Sequence, residues 1–142
     1  MRIGIVGDDY GHVGGMVASA RQADNGELVG MVEADDGLYE RYAADGALPR
    51  YESLEAMLAE AGPDLVLEGV THPHKAGLVE ACAVAGVHVL LDKPLCRTLA
   101  DWERIRRAVD THGTKLSMWF TSRSYPPFLA LREAVQAGQL GQ

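Results

Sequence analysis

A glycine-rich, acidic turn near the start of the chain has residue types that could bind an anion. It follows an apolar run, residues 2–7, and precedes a segment rich in Ala, Val and Met, so it joins a predicted strand to a predicted helix. The N-terminus of such a helix presents unpaired backbone N–H groups and the positive end of its dipole, which suit a dinucleotide pyrophosphate. The candidate cofactor-binding residues of this segment are Gly7, Asp9, Tyr10, Gly11, His12 and Val13.

The turn matches the dinucleotide fingerprint G-x-G-x-x-G only in part. Counted from Gly7, Asp9 stands at the second glycine position and His12 at the third. Asp8 and Asp9 also place two carboxylates where a diphosphate would have to lie. The alternative is a tight strand-to-helix turn in which Asp8 or Asp9 caps the helix. The turn alone leaves both interpretations open.

Glu33, at the end of the second predicted strand, is suited to bind the ribose of an adenosine. It follows Gly11 by 22 residues, and the fingerprint places a ribose-binding acid about 20 residues downstream. Residues 34–36 include two aspartates and no Arg or Lys, so a 2′-phosphate would meet like charges. The cofactor predicted from this loop is NAD, with NADP disfavoured. The alternative is a solvated glutamate at the start of a loop.

The fourth predicted strand ends in Thr71, His72 and His74, which we expect to line the same cleft. A histidine here could contact ribose or nicotinamide, and a purely structural turn is an equal alternative. Two histidines at i and i+2 without a third ligand at the expected spacing do not indicate a metal. Glu68 lies within this apolar strand, where a carboxylate must be paired or protonated, or lie where the strand opens to the cleft.

Length and composition limit the classes of protein to consider. The 142 residues suffice for one domain, and 47% hydrophobic and 23% charged residues are typical of a globular protein. A formal charge of -7 without a basic cluster argues against nucleic acid as a partner. No apolar run is long enough to span a membrane. Cys82 and Cys96 lie in apolar surroundings without C-x-x-C spacing, so we expect reduced thiols and a cytoplasmic location.

Apolar runs alternate with helix-patterned segments along the whole chain. This order predicts an α/β fold of the doubly wound, Rossmann-like type, with a mostly parallel six-stranded sheet and helices on both faces. In such sheets ligands bind beyond the carboxyl ends of the strands. The predicted strands cover residues 2–7, 27–33, 51, 64–70, 87–91 and 115–120. The predicted helices cover residues 11–23, 37–44, 53–61, 73–85, 98–112 and 127–137.

The fifth predicted strand and the turn after it carry the most specific motif. The segment GVHVLLDKP, residues 86–94, resembles the G-k-h-V-l-x-E-K-P segment of the Gfo/Idh/MocA family, the glucose-fructose oxidoreductase and inositol dehydrogenase group. The second strand, residues 54–67 and the pair Arg123 and Tyr125 also resemble family segments, so the resemblance covers essentially the whole chain.

The resemblance implies an NAD(P)-dependent oxidoreductase that acts on a sugar, a polyol or a related hydroxyl or carbonyl compound. Lys93 matches the family lysine that lies beside the nicotinamide and contacts the reacting oxygen. An ammonium group at that place would polarise a carbonyl or stabilise an alkoxide while hydride moves. Asp92 would orient this lysine, Arg123 would contribute to the cofactor site, and Pro94 is expected to follow a cis bond.

The resemblance also implies a second domain. We expect residues 1–138 to form the dinucleotide-binding domain and residues 139–142 to begin the α/β domain that would complete the site for a small-molecule substrate and supply an oligomer interface. Lys93 alone could not position a substrate or complete proton transfer. Two alternatives stay open: a non-catalytic nucleotide-binding module, which Asp8 and Asp9 favour, and a protein-interaction domain that has lost its cofactor.

Overall fold

The computed structural model describes residues 1–43, 48–139 and 141. Within them six parallel strands form one sheet in the order β3-β2-β1-β4-β5-β6. The change of direction between β1 and β4 is the topological switch point of a doubly wound fold. The predicted fold class is therefore confirmed. The strands are β1 (Arg2–Val6), β2 (Glu27–Val32), β3 (Arg50–Tyr51), β4 (Leu65–Glu68), β5 (His88–Asp92) and β6 (Leu116–Trp119).

Helices pack on both faces of the sheet and divide the core in two. The strands alternate buried side chains between a cluster that includes Met57, Val79 and Ile105 and a cluster that includes Met16 and Val17. Burial on both faces explains why the strands are almost continuously apolar. The helices are α1 (Val13–Gln22), α2 (Asp36–Ala43), α3 (Leu54–Glu60), α4 (Lys75–Val84), α5 (Leu99–His112) and α6 (Pro126–Gln136).

Local signals account for several helix ends. The side chains of Ser53 and Thr98 accept hydrogen bonds from backbone N–H groups at the starts of α3 and α5. Gly113 ends α5 with φ of 66°, a left-handed conformation that favours glycine. Helix α4 begins at Lys75 rather than at the predicted residue 73, because residues 72–74 form a 3₁₀ turn.

Two predicted boundaries include residues outside the described part of the chain. These residues are Ala44, the predicted end of the second helix, and Leu140 and Gln142, which belong to the expected domain boundary. In the described parts of the chain, no helix is both long enough and apolar enough to cross a membrane.

The register of the parallel strands brings the candidate residues to one edge of the sheet. Val6 pairs with Val32 on one side and with Glu68 on the other, and Asp92 pairs with Trp119. The turn after β1, Glu33 after β2, the segment after β4 and Lys93 after β5 therefore lie at the carboxyl ends of neighbouring strands. This is the edge at which such folds bind ligands.

Candidate functional site

The turn after β1 is held by a buried aspartate. Asp8 is 2% exposed, its Oδ1 accepts a hydrogen bond from the Val13 backbone N–H at 3.1 Å, and the Tyr42 hydroxyl donates to its Oδ2. Burial and the Asp8 carboxylate raise the pKa of the Tyr42 phenol above its usual value. Asp8 thus caps α1 from inside the fold. The expectation that its carboxylate lies in the path of a diphosphate is wrong, because the side chain points into the protein.

Asp9 connects the turn after β1 to the segment after β4. Its backbone N–H donates to the Gly69 carbonyl at 3.0 Å, and its Oδ2 accepts from the Thr71 N–H at 2.6 Å. Its carboxylate therefore binds a neighbouring loop and does not cap α1. At Gly11, with φ of 70°, an added Cβ would meet no atom of the described residues within 4 Å. The turn is thus open on its outer side, as a bound pyrophosphate would require.

Glu33 lies beside this turn, as the fingerprint predicts. It is half-buried, and its two carboxylate oxygens accept hydrogen bonds from the backbone N–H groups of Asp8 at 3.1 Å and Asp35 at 2.9 Å. An ionised carboxylate has about four acceptor sites. Glu33 therefore keeps capacity for ribose hydroxyls while the backbone holds its orientation.

The structure brings to this loop a cation that the sequence reasoning missed. Arg50 donates to the backbone carbonyls of Glu33 and Ala34, each at 2.8 Å, and to Asp36 Oδ1 at 2.6 Å. Arg50 belongs to β3, which is distant from this loop in sequence but pairs with β2 in the sheet. A cavity of about 390 Å³ lies here, lined by Val32, Glu33, Ala34, Arg50, Tyr51 and Glu52.

The residues after β4 lie against the same turn. The rings of Tyr10 and His72 stack with centroids 5.2 Å apart, and Tyr10 also stacks with His12 at 6.4 Å. Thr71 contacts Asp9, as described above. His74 is exposed at the start of α4, and its backbone N–H donates to the Thr71 carbonyl. The structure thus brings His72 and Thr71 to the turn and leaves His74 at the surface.

His12, Asp92 and Lys93 form a compact cluster at the end of β5. Asp92 is 2% exposed, and its Oδ2 lies 2.7 Å from His12 Nδ1 and 3.7 Å from Lys93 Nζ. Lys93 Nζ lies 3.1 Å from the same His12 nitrogen. The Lys93–Pro94 peptide bond is cis, as predicted. The sequence analysis predicted His12 as a cofactor-binding residue and did not foresee its contact with the lysine.

A small cavity of about 170 Å³ opens beside this cluster. Its wall includes the three clustered residues together with Trp119, Phe120, Thr121 and Ser122. Trp119 packs against the core cluster of α1 and also lines this cavity. Arg123 is exposed on the 3₁₀ turn Thr121–Ser124, next to the lining residue Ser122.

Glu68 is fully buried and paired, which settles the alternatives that its sequence position raised. Lys75 Nζ donates to Glu68 Oε2 at 3.0 Å and to the backbone carbonyl of Asp92 at 2.6 Å. Burial raises the pKa of Glu68 to about 7, although the Lys75 ammonium opposes the rise. The sequence analysis placed Lys75 in the predicted helix 73–85 and gave it no partner. The sequence did contain a signal for this ion pair, because a carboxylate inside an apolar strand needs a nearby hydrogen-bond donor.

Comparison with known proteins agrees with this geometry. The family profile described as an oxidoreductase family with an NAD-binding Rossmann fold, Gfo/Idh/MocA, matches residues 1–120. The chain belongs to the Gfo/Idh/MocA oxidoreductase family. The resemblance predicted from residues 86–94 is thereby confirmed.

Relatives from this family align along the whole chain. It is 32% identical to a myo-inositol dehydrogenase of Streptomyces leeuwenhoekii and 30% identical to the myo-inositol 2-dehydrogenase of Thermotoga maritima, covering 100% of this chain and 43% and 42% of those proteins. The structure of an NAD-binding protein from Listeria innocua is 30% identical with a TM-score of 0.84, over 99% of this chain and 41% of that one. The chain thus spans less than half the length of these relatives.

Proposed function

We propose that this chain is the dinucleotide-binding part of an NAD(P)-dependent oxidoreductase that transfers hydride to or from a sugar, polyol or related compound. One observation carries the proposal: the open turn, the ribose acid Glu33 and the His12–Asp92–Lys93 cluster lie along the same edge of the sheet. The dehydrogenase names of the relatives support the reaction class.

Different residues at this edge would bind successive parts of the cofactor along the cleft. The N-terminus of α1 and the open turn at Gly11 would bind the pyrophosphate. Glu33 would accept hydrogen bonds from the ribose hydroxyls through the lone pairs that Asp8 and Asp35 leave. Tyr10, His72 and Thr71 would lie beside the cofactor, as would His74 and Arg123 from the surface.

NAD is the proposed cofactor, with NADP less favoured. Glu33 and Asp35 present negative charge to a 2′-phosphate, which opposes its binding. Arg50 is a cation that could attract a 2′-phosphate, but its guanidinium already donates hydrogen bonds to Asp36 and two backbone carbonyls. Breaking those hydrogen bonds would offset part of the favourable free energy of binding the phosphate.

Lys93 would serve as the acid–base group at the reacting oxygen. The nicotinamide of a bound cofactor supplies hydride chemistry. During alcohol oxidation the Lys93 amine would take the hydroxyl proton, and the buried Asp92 carboxylate, 3.7 Å away, would stabilise the resulting ammonium. His12 Nδ1, 2.7 Å from Asp92 Oδ2, would donate to this carboxylate and hold it beside Lys93. In carbonyl reduction the same proton returns to the alkoxide.

A substrate site would need residues beyond this chain. The described cavity beside Lys93 holds only about 170 Å³, and the relatives are more than twice as long. We therefore propose that residues 1–138 form the dinucleotide-binding domain and that the substrate binds only with a second domain. A cytoplasmic location is part of the proposal, and the free thiols of Cys82 and Cys96 support it.

The proposal is tested by titrating the purified chain with NADH and following nicotinamide fluorescence. We expect saturable binding that Glu33→Ala weakens at least tenfold, because the ribose hydroxyls lose their acceptor. Glu60→Ala, an exposed acid at the end of α3, is the matched control and should bind like the wild type. No binding by the wild type at millimolar NADH would refute the proposal.

A second candidate is a nucleotide-binding module without catalysis. Asp8 favours it, because its carboxylate already occupies the Val13 N–H at the start of α1 and reduces the positive potential there. This candidate would be favoured if the chain bound NADH and NADPH but showed no turnover even after a second domain was added.

A further inference from the structure

A buried ion pair lies directly behind the corner that carries Lys93. Lys75 and Glu68 are both 0% exposed, and the Lys75 ammonium donates to Glu68 Oε2 at 3.0 Å and to the Asp92 carbonyl at 2.6 Å. The second carboxylate oxygen, Glu68 Oε1, has no hydrogen-bond partner among the residues that the structure describes. The ammonium therefore has two strong acceptors, one of which is the backbone of the site.

Stability does not explain this pair. Buried charges lose their hydration, and apolar residues of similar volume often replace such a pair without loss of stability. Lys75 is also the first residue of α4, where the helix dipole disfavours a cation. The position of Lys75 is therefore explained by the groups to which its ammonium donates hydrogen bonds.

The ammonium holds the peptide group between Asp92 and Lys93. The side chain of Asp92 reaches His12 on the other side of the strand end, and Lys93 is the next residue along the chain. A carbonyl bonded to a buried ammonium cannot rotate freely, and rotation of this peptide would redirect both side chains. Tyr10 stacks on the His12 ring, and His72 stacks on Tyr10.

We infer that Lys75, held by Glu68, is a positioning residue for the catalytic corner. It fixes the Asp92 carbonyl, so that the Asp92 carboxylate stays on His12 and the Lys93 ammonium stays beside both. The inference rests on the proposed role of Lys93 in proton transfer, since Lys75 itself is buried and does not reach the cleft.

The chain has three lysines, Lys75, Lys93 and Lys115, so NMR of lysine labelled with ¹³C and ¹⁵N tests the inference without cofactor. The exposed Lys115 is the internal reference. In the wild type we expect the Lys93 side-chain signals to be well separated from those of Lys115. Glu68→Gln keeps an oxygen acceptor for Lys75 and should preserve this separation. In Lys75→Met with Glu68→Met, the Lys93 signals should move to the Lys115 position.

A matched control separates positioning from general destabilisation. Val79→Ala creates a cavity in the core beside α4 and leaves Lys75, Glu68 and Asp92 in place, and it should leave the Lys93 signals unchanged. The inference is overturned if the folded double variant keeps the wild-type Lys93 signals, or if Val79→Ala displaces them equally.

A second measurement requires no variant and decides the question if the double variant does not fold. In wild-type protein labelled uniformly with ¹³C and ¹⁵N, a scalar coupling across the hydrogen bond, from Lys75 ¹⁵Nζ to the Asp92 carbonyl carbon, is expected, and its absence overturns the inference. NADH titration of the same sample reports on the proposed function separately, because the lysine signals are recorded before any cofactor is added.

Discussion

Replacing Glu68 by glutamine is expected to change how the stability of the chain depends on pH. Burial raises the pKa of Glu68 from 4.5 in the unfolded chain to about 7 in the folded one. Between these values the folded state binds more protons than the unfolded state, so the free energy of unfolding falls as pH rises. The stabilisation by Glu68 is fully present below pH 4.5 and is lost as pH rises through 7.

The size of the effect follows from the same two values. The difference between 4.5 and about 7, at ~1.36 kcal/mol for each pH unit, corresponds to about 3 kcal/mol. Glu68 is 0% exposed, so solvent does not screen this contribution. The glutamine introduced by Glu68→Gln cannot ionise, and its amide oxygen can still accept a hydrogen bond from Lys75. The wild type should therefore lose about 3 kcal/mol relative to Glu68→Gln between pH 4.5 and pH 8.

The assay is urea unfolding at a series of pH values from 4.5 to 8.5, followed by circular dichroism. Each unfolding free energy is compared with that of the variant at the same pH, so that other titrating groups cancel. Glu60→Gln, at an exposed position, is the control and should give a difference that does not vary with pH. A difference for Glu68→Gln that is constant, or that favours the wild type increasingly as pH rises, would refute the reasoning.

Three further predictions concern the supports of the site and the helix ends. Tyr42→Phe removes the hydroxyl that bonds the buried Asp8 carboxylate and should lower the free energy of unfolding by about 1–3 kcal/mol in urea; equal stability would show that Asp8 needs no such donor. Thr98→Ala removes the oxygen that accepts the Asp101 N–H at 3.0 Å, and thermal unfolding should show a loss of about 1 kcal/mol, which Thr98→Ser should largely restore. Gly113→Ala must adopt φ of 66° and should cost about 1–2 kcal/mol; an unchanged melting temperature would contradict the left-handed cap.

The parallel sheet and the edge at which ligands are expected could be predicted because they depend on local patterns. Alternating apolar runs and helices require parallel pairing, since each crossover must return to the same end of the sheet. Ser53 and Gly113 are residue types that favour the start and the end of a helix, and they act as such. The candidate residues Glu33, Lys93 and His12 all lie at this edge for the same reason.

The contacts between segments distant in sequence could not be predicted. Arg50 reaches the loop after Glu33 because β3 pairs with β2, and no pattern near residue 33 indicates a cation 17 residues away. Asp8 was a candidate cap, but its direction into the core depends on Tyr42 of α2. These partners are chosen by packing, which selects among many polar residues of similar type.

Residue types and their spacing therefore established the doubly wound fold, the family and the sheet edge at which the chemistry would occur. The arrangement of that edge depended on the folded chain: Lys75 reaches Glu68 and Asp92, and His12 reaches Asp92 and Lys93, across separations of up to 81 residues. The physical reason is that period and composition encode which face of an element is buried, whereas a hydrogen bond needs two groups within about 3 Å. Only the packing of strands and helices against one another sets that distance.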